Sequence, residues 1–372
     1  MNRILLKNAH LWDCGETVDL LIEEDSIQKI ASNITDRDAK VVNLNYKTLY
    51  PGFFNAHVHL YGLRGPLPDS MLKRFLAGGV TTVRDMGMTY DAPYTQYQDW
   101  LSNHRDYVYP TIISASKFIC TEKSYGAVHP TGEKIGHIIP PTAEAAVQAV
   151  DEMVDCGANL IKTGNDYGMD INHPLDYLPS EVFNAVIQRA KERGLPSAAH
   201  ITKAKQFTEA AEMGLTEGAH VPNDLMTDEQ VARAVAAGMS FTATMSVFDY
   251  AEIQFGEHLM DSVISNTRRL YRAGMPMAVG TDFMREIPDY QVAGIPVHEF
   301  HLLHKAGLSV EEIIRAATIE SAKICGIDKK TGSIEPGKWA DLVAVSSPAD
   351  ETFCVFEDVP FVMHQGHVIV NR

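Results

Sequence analysis

Both ends of the chain alternate apolar and polar residues over short stretches, while the long middle follows a different rhythm. From Ile4 to about Leu49 the pattern is strand-like, as in Leu20-Leu21-Ile22, with Gly15 and Asp25 as turn residues. The stretch from Ser333 repeats that character. Trp339-Ala-Asp-Leu-Val-Ala-Val reads as a buried strand, and Phe361 to Val370 reads as a hairpin turning near Gln365-Gly366. The two ends are therefore expected to pair into one small β unit. In the middle, apolar strand candidates recur at Phe53–Ala56, Val80–Arg84, Thr111–Ser114, Asn159–Ile161, Ser197–Ala199, Glu217–Ala219, Ser240–Thr244 and Met277–Gly280. Helical spacing separates several of them, at Ala143–Cys156, Glu181–Arg193, Lys203–Met213 and Asp228–Ala237. Glycines such as Gly79, Gly157, Gly194, Gly238 and Gly274 stand just before new strands, where a helix ends. Eight strands alternating with helices predict an α/β chain: a closed (β/α)8 TIM barrel over residues 51–325. Its last amphipathic helix, Val310–Cys325, returns the chain to a β unit made of residues 1–50 and 326–372.

Composition narrows function more than fold. At 372 residues, 45% apolar and 22% charged, the chain has ordinary globular composition and length enough for a barrel and a smaller unit. A formal net charge of −16 argues against reading nucleic acid, which requires clustered Lys and Arg, and allows at most a local basic pocket for a small anion. The N-terminal apolar run Ile4-Leu-Leu is too short for a signal peptide core, and no run is long enough to span a membrane. Cys14, Cys120, Cys156, Cys325 and Cys354 are scattered, with no C-x-x-C pair. They read as reduced, mostly buried thiols of a cytoplasmic protein.

The polar residues at predicted strand ends carry the candidate chemistry. His57 and His59 close the first strand, and with Val58 between them strand periodicity turns both imidazoles into the barrel mouth. Lys162 ends the fourth strand, His200 the fifth, His220 the sixth and Asp282 the eighth. In a barrel these ends converge on one rim, where active sites sit. Taken singly, a strand-end His is more often a hydrogen-bonded structural residue, and a strand-end Asp often caps a helix. Together, four imidazoles and a carboxylate on one rim make the donor set of zinc and its neighbours.

Pro51-Gly-Phe-Phe-Asn-Ala-His57-Val-His59 resembles the motif that opens the barrel of the amidohydrolase superfamily. Lys162, His200, His220 and Gly280-Thr-Asp282 follow in that family's order, and the tail from Thr331 to Val343 resembles its return into a β-sandwich. The likeness covers nearly the whole chain and points to the imidazolonepropionase-related branch. A lysine after strand four, where a glutamate could stand, is similar to the Xaa-Pro dipeptidases. The resemblance implies two divalent metals, with zinc expected although Mn, Co and Fe accept the same donors. It implies that His57, His59 and Asp282 hold the first ion, that His200 and His220 hold the second, and that Lys162 bridges them as a carboxylated lysine. The alternative for Lys162 is an ordinary lysine snorkelling at the rim or pairing with Asp282. Two such ions lower the pKa of a bridging water and polarise a scissile carbonyl. By analogy Asp282 takes the attacking proton and passes it to the leaving group.

Other features weigh less. His298-Glu-Phe-His301-Leu-Leu-His304 misses the helical H-E-x-x-H motif because Leu302 stands where the second His belongs, so these histidines are expected on a helix surface or at its cap. The polar segment Lys117–Pro140, with Tyr125, His129, Glu133 and His137, is a candidate substrate lid. Relatives carry a substrate-contacting histidine in the corresponding loop, and His129 is the better match, so the resemblance makes it a candidate catalytic residue beside Asp282 as well as a substrate contact, with Tyr125 a further candidate contact. Arg285 is either a binder of a substrate carboxylate or a solvated loop residue. Met245, Phe248 and Tyr250 either wall the site or pack the adjacent helix. The expected function is a binuclear hydrolase cleaving an amide or peptide-like C–N bond in a small molecule, as a Xaa-Pro dipeptidase-like or N-acyl amino acid hydrolase. A lactonase or deaminase on the same scaffold is the alternative, and a non-catalytic relative is disfavoured because every ligand position is filled. Neither nucleic acid nor a membrane is an expected partner, and a homo-oligomer stays open.

Overall fold

A computed structural model describes residues 2–62, 65–87, 93–123, 137–166, 176–256, 258–288 and 290–372. The chain opens with β1 (Arg3–Leu11), β2 (Thr17–Glu23), β3 (Ser26–Ala31), β4 (Lys40–Asn43) and β5 (Thr48–Pro51). β1 runs antiparallel to β2, and it pairs in parallel first with β4 at Ile4–Lys7 and then with β5 at His10–Leu11. A register shift between Leu6 and Ala9 lets one strand serve both partners. Asn8 supplies the left-handed residue there (φ 57°), and the buried Asp19 carboxylate accepts its N–H at 3.1 Å.

The tail closes onto this unit. β18 (Leu342–Val345) pairs antiparallel with β5 and with β19 (Phe361–His364), and β19 turns into β20 (His367–Asn371). The expected pairing of the two ends is thus observed. The hairpin turns at Gln365-Gly366, both at positive φ (45° and 73°), as a two-residue turn between twisted strands requires. No side chain fits at Gly366, because a Cβ would lie 1.8 Å from the Glu24 carbonyl oxygen. β18 also shows why its apolar run is continuous: Leu342 and Ala344 enter the core of the β unit, while Val343 and Val345 enter the larger core of the middle segment.

The middle carries β6 (Phe53–Val58), a short hairpin of β7 (Tyr61–Gly62) and β8 (Gly65–Pro66), β9 (Val80–Asp85) and β10 (Thr111–Ser114). It continues through β11 (Phe118–Ile119), β12 (His137–Ile138), β13 (Ile161–Gly164), β14 (Ser197–His200), β15 (Glu217–Gly218), β16 (Ser240–Thr242) and β17 (Met277–Ala278). Parallel pairing runs β10-β9-β6 in one sheet and β12-β11-β13-β14-β15-β16-β17 in another. Backbone hydrogen bonds span both gaps between them. Asn159 N–H donates to the Ser114 carbonyl (2.7 Å), and Ala56 N–H donates to the Val279 carbonyl (2.8 Å). The fourth strand begins at Ile161, not Asn159, because Asn159 instead donates to and accepts from Ser114.

Helices α3 (Ala143–Asp155), α4 (Ser180–Glu192), α5 (Ala204–Glu212) and α6 (Asp228–Ala236) lie where apolar spacing predicts them. The described residues also form α1 (Asp69–Ala77), α2 (Tyr94–Asn103), α7 (Met245–Phe255), α8 (Met260–Arg272) and α9 (Val297–Lys305). The predicted Val310–Cys325 helix is broken into α10 (Val310–Arg315), a π turn (Ala316–Glu320) and α11 (Ser321–Ile324). The wider turn lets the Ser321 hydroxyl donate to the Ala316 carbonyl (2.6 Å) and accept from Val279 N–H (3.2 Å), tying the last helix to the eighth strand. Among the described residues no helix is long and apolar enough to cross a membrane.

Beneath the rim, Arg84 of β9 and Glu217 of β15 form a buried pair, 1% and 2% exposed. Both guanidinium NH2 groups reach the carboxylate, and Nε donates to the Ala56 carbonyl at 2.8 Å. Burial opposes the guanidinium charge, but the carboxylate beside it overcomes that cost and raises the Arg84 pKa. Glu217→Gln leaves this charge uncompensated and is expected to lower stability by ~3–5 kcal/mol. A urea midpoint within error of the parent protein's would show that the pair contributes nothing.

Candidate metal centre

The strand pattern delivers three donors to one point. His57 lies within β6 and His59 just beyond it, while Asp282 follows β17 by four residues. The candidate ligand atoms of these buried residues all lie within 4.8 Å of one another. His57 Nε2 and His59 Nε2 stand 3.2 Å and 3.0 Å from the same carboxylate oxygen, Asp282 Oδ1. Neither His57 Nε2 nor that oxygen makes a hydrogen bond of good geometry among the described residues. Donor atoms this close, aimed together without satisfying one another, suit a cation between them.

The opposite ring nitrogens are held. His57 Nδ1 donates to the Ala219 carbonyl at 3.0 Å and His59 Nδ1 donates to the Gly87 carbonyl at 2.8 Å. A carbonyl only accepts, so the proton sits on Nδ1 and the lone pair on Nε2. His220 Nδ1 pairs with the Thr244 hydroxyl at 2.7 Å, leaving its Nε2 buried without a hydrogen-bond partner among the described residues. The His220 ring lies 4.8 Å from that of His57 and 4.4 Å from that of His200, so the imidazoles form one cluster. Burial pushes His57 down to about 4 and drives His200 and His220 well below the ordinary histidine value, leaving all three neutral at physiological pH. Neutral imidazole is the metal-binding form. Burial works against the Asp282 charge, which a cation seated among these donors would favour.

Two backbone features make this geometry. Asp282 adopts φ 56°, a left-handed conformation that Asp tolerates, and the Gln291 side-chain amide donates to the carbonyls of Thr281 (2.7 Å) and Asp282 (3.2 Å). Gly280 lets the eighth strand approach the first, since a Cβ there would meet His57 Cβ at 2.6 Å. Asn55 ties the same strands by donating to the Thr281 hydroxyl at 2.8 Å.

Lys162 is the second residue of β13, not its end, and the strand runs on to Gly164. Its side chain is fully buried, with Nζ 4.9 Å from the centre of the Phe118 ring and no hydrogen-bond partner among the described residues. Loss of hydration lowers the amine to about 8. Neither expected alternative fits this burial: the amine does not snorkel to solvent, and no ion pair with Asp282 forms among the described residues. His200 ends β14 as expected, and His220 lies two residues beyond β15. Arg285 is exposed on the segment after Asp282. Tyr125, His129 and Glu133, and the side chain of His137, lie outside the described residues.

The histidines of α9 sit on a helix surface. His298 Nε2 pairs with Asp249 at 2.9 Å, and His304 Nδ1 donates to the Leu308 carbonyl at 2.9 Å. Met245 and Phe248 are buried in the core, whereas Tyr250 meets Tyr290 edge-on. Sequence reasoning passed over Phe118, which stacks on His59 and faces Lys162, and Thr244, which holds His220. Thr244 was within reach as a polar residue at the end of a predicted strand, but nothing local to Phe118 marks it.

The chain is 28% identical over 168 residues to an imidazolonepropionase of Symbiobacterium thermophilum, a stretch covering 44% of this chain and 36% of that protein. It is 34% identical over 98 residues to a dihydroorotase of Bacillus thuringiensis, covering 25% and 23% respectively. The chain thus matches about a third or less of the length of these curated relatives. A crystal structure of a Xaa-Pro dipeptidase with bound methionine in the active site superposes with a TM-score of 0.82 over 99% of both chains at 22% identity, which shows a shared fold. The Amidohydrolase family pattern matches residues 48–369, from β5 to the final strand, and the chain belongs to that family.

Proposed function

We propose that the protein is a binuclear metal-dependent hydrolase of amide or peptide-like C–N bonds in small molecules. The observations that carry this reading are the buried, unpartnered amine of Lys162, beside the strand that ends in His200, and the His-His-Asp cluster. An amine lowered to about 8 keeps some free base at neutral pH. Its nitrogen can attack CO2, forming an N–C bond and releasing a proton, which leaves a carbamate with two anionic oxygens. On this reading His57, His59 and Asp282 hold one divalent ion, His200 and His220 hold the other, and carboxylated Lys162 binds both, with zinc the expected metal. A closed (β/α)8 barrel over residues 51–325 presents them, and residues 1–50 and 326–372 form the composite β-sandwich.

When bound, such a metal pair supplies a water that ionises near neutral pH and a Lewis acid for the scissile carbonyl. Asp282, ionised at the rim, accepts the proton of the attacking water and delivers it to the departing nitrogen. His57 and His59 keep their Nδ1 protons on backbone carbonyls and take no part in proton transfer. His129 and Tyr125 are proposed to contact the substrate, with Arg285 on the exposed segment receiving a substrate carboxylate. The likeness to a Xaa-Pro dipeptidase favours a dipeptide as substrate; an N-acyl amino acid is the other amide proposed, and the cytoplasm the proposed compartment.

Elemental analysis of purified protein is expected to find close to two divalent ions per chain. One ion or none after growth with added metal would remove the binuclear centre. A panel of dipeptides, N-acyl amino acids and lactones should then show turnover on the amides, and turnover confined to lactones would overturn the substrate class.

A further inference from the structure

We infer that Glu299 is a positioning residue for the second metal site: it caps helix α7 in place of Thr244 and so frees the Thr244 hydroxyl to orient His220. The inference rests on the reading of His220 as a metal ligand.

A helix leaves its first backbone N–H groups without partners, and a threonine at the N-cap normally satisfies one of them with its side-chain oxygen from an extended conformation. Thr244 is the N-cap of α7, yet it adopts φ 46°, ψ 38° and makes no capping bond. For a β-branched residue that left-handed conformation is strained, and it persists only where the surroundings enforce it. Its hydroxyl instead meets His220 Nδ1 at 2.7 Å. The orphaned N–H groups find their acceptor far away in sequence. Glu299, fully buried on α9, takes Met245 N–H on one carboxylate oxygen and Ser246 N–H on the other, each at 2.7 Å. Burial raises the Glu299 carboxyl to about 7, while the two N–H bonds and the positive end of the helix favour its ionised, capping form. The adjacent His298–Asp249 contact clamps α9 to the same helix one turn on.

Without the carboxylate, Thr244 is expected to relax to an ordinary N-cap and release His220. The test uses the full-length chain with 15N-labelled histidine and four variants: Glu299→Ala, Glu299→Gln, Thr244→Val, and Glu299→Ala combined with Thr244→Val. The glutamine variant keeps the volume and one acceptor, so it preserves the comparison even where the alanine variant folds poorly. In metal-free wild type, His220 is expected to hold one tautomer with the proton on Nδ1, and in Glu299→Ala to exchange between tautomers. Zinc titration should show one of the two sites, the one that includes His220, losing about 10–100-fold in affinity, the usual cost of removing the partner that orients a ligating histidine. The other site should stay within twofold of wild type. Thr244→Val should show the same loss, and the double variant no more than either single change, because both act through one hydroxyl. An unchanged His220 tautomer and unchanged zinc affinities overturn the inference. So do losses that multiply in the double variant, or that fall equally on both sites. A wild-type chain binding fewer than two ions while His220 still responds to Glu299→Ala refutes the metal reading and leaves the positioning of His220 standing.

Discussion

Lys162→Ala is expected to lose at least one metal ion and nearly all activity. Two dications a few ångströms apart repel strongly wherever water is scarce, and only anionic donors offset that repulsion. Burial keeps His57, His200 and His220 neutral, so the imidazoles supply lone pairs and no charge. Asp282 is the sole carboxylate of the described metal cluster. On the proposed reading a carbamate on Lys162 would supply a second anion to the two-metal centre, and alanine would remove it outright. A short exogenous carboxylate such as acetate is expected to restore part of both metal content and turnover by occupying the vacated space. Burial has lowered the amine to about 8, and CO2 adds only to the free base. Reconstitution of metal-free protein with metal, with dissolved CO2 held at one concentration across the series, should therefore quicken as pH rises through that value and level off above it. Retention of two ions and near-normal turnover by Lys162→Ala would dismiss the carbamate. Electron density showing a bare ammonium more than about 4 Å from both ions, beyond coordination distance, would do the same.

Asp282→Asn is expected to lower kcat by roughly 10²–10⁴-fold, the usual contribution of general acid–base catalysis. Asparagine tests the proton directly because it shares aspartate's tolerance for the left-handed backbone found there (φ 56°). The Gln291 bonds to the neighbouring carbonyls do not involve the side chain and should survive. The exchange removes a charge as well as a base, so kcat must be compared at equal metal occupancy. Near-full turnover in a fully loaded Asp282→Asn protein would take Asp282 out of proton transfer.

The sequence by itself determined those properties whose physics is local. Period-two spacing placed His57 and His59 on one face, and a strand as short as Met277–Ala278 was visible because buried parallel strands read as apolar runs. Turn chemistry at Gln365-Gly366 located the last hairpin, and the two β-rich ends announced their own pairing. The order His57, His59, Lys162, His200, His220, Asp282 was legible for the same reason, since each stands at or near an apolar strand. Only the tertiary structure decided what each buried polar group meets. That Lys162 lies inside its strand against Phe118, that Ala219 and Gly87 fix the histidine protons, and that Glu299 serves a helix more than forty residues away all depend on groups remote along the chain. Desolvation and hydrogen-bond geometry arise only when remote segments close on one another, and no local pattern encodes them.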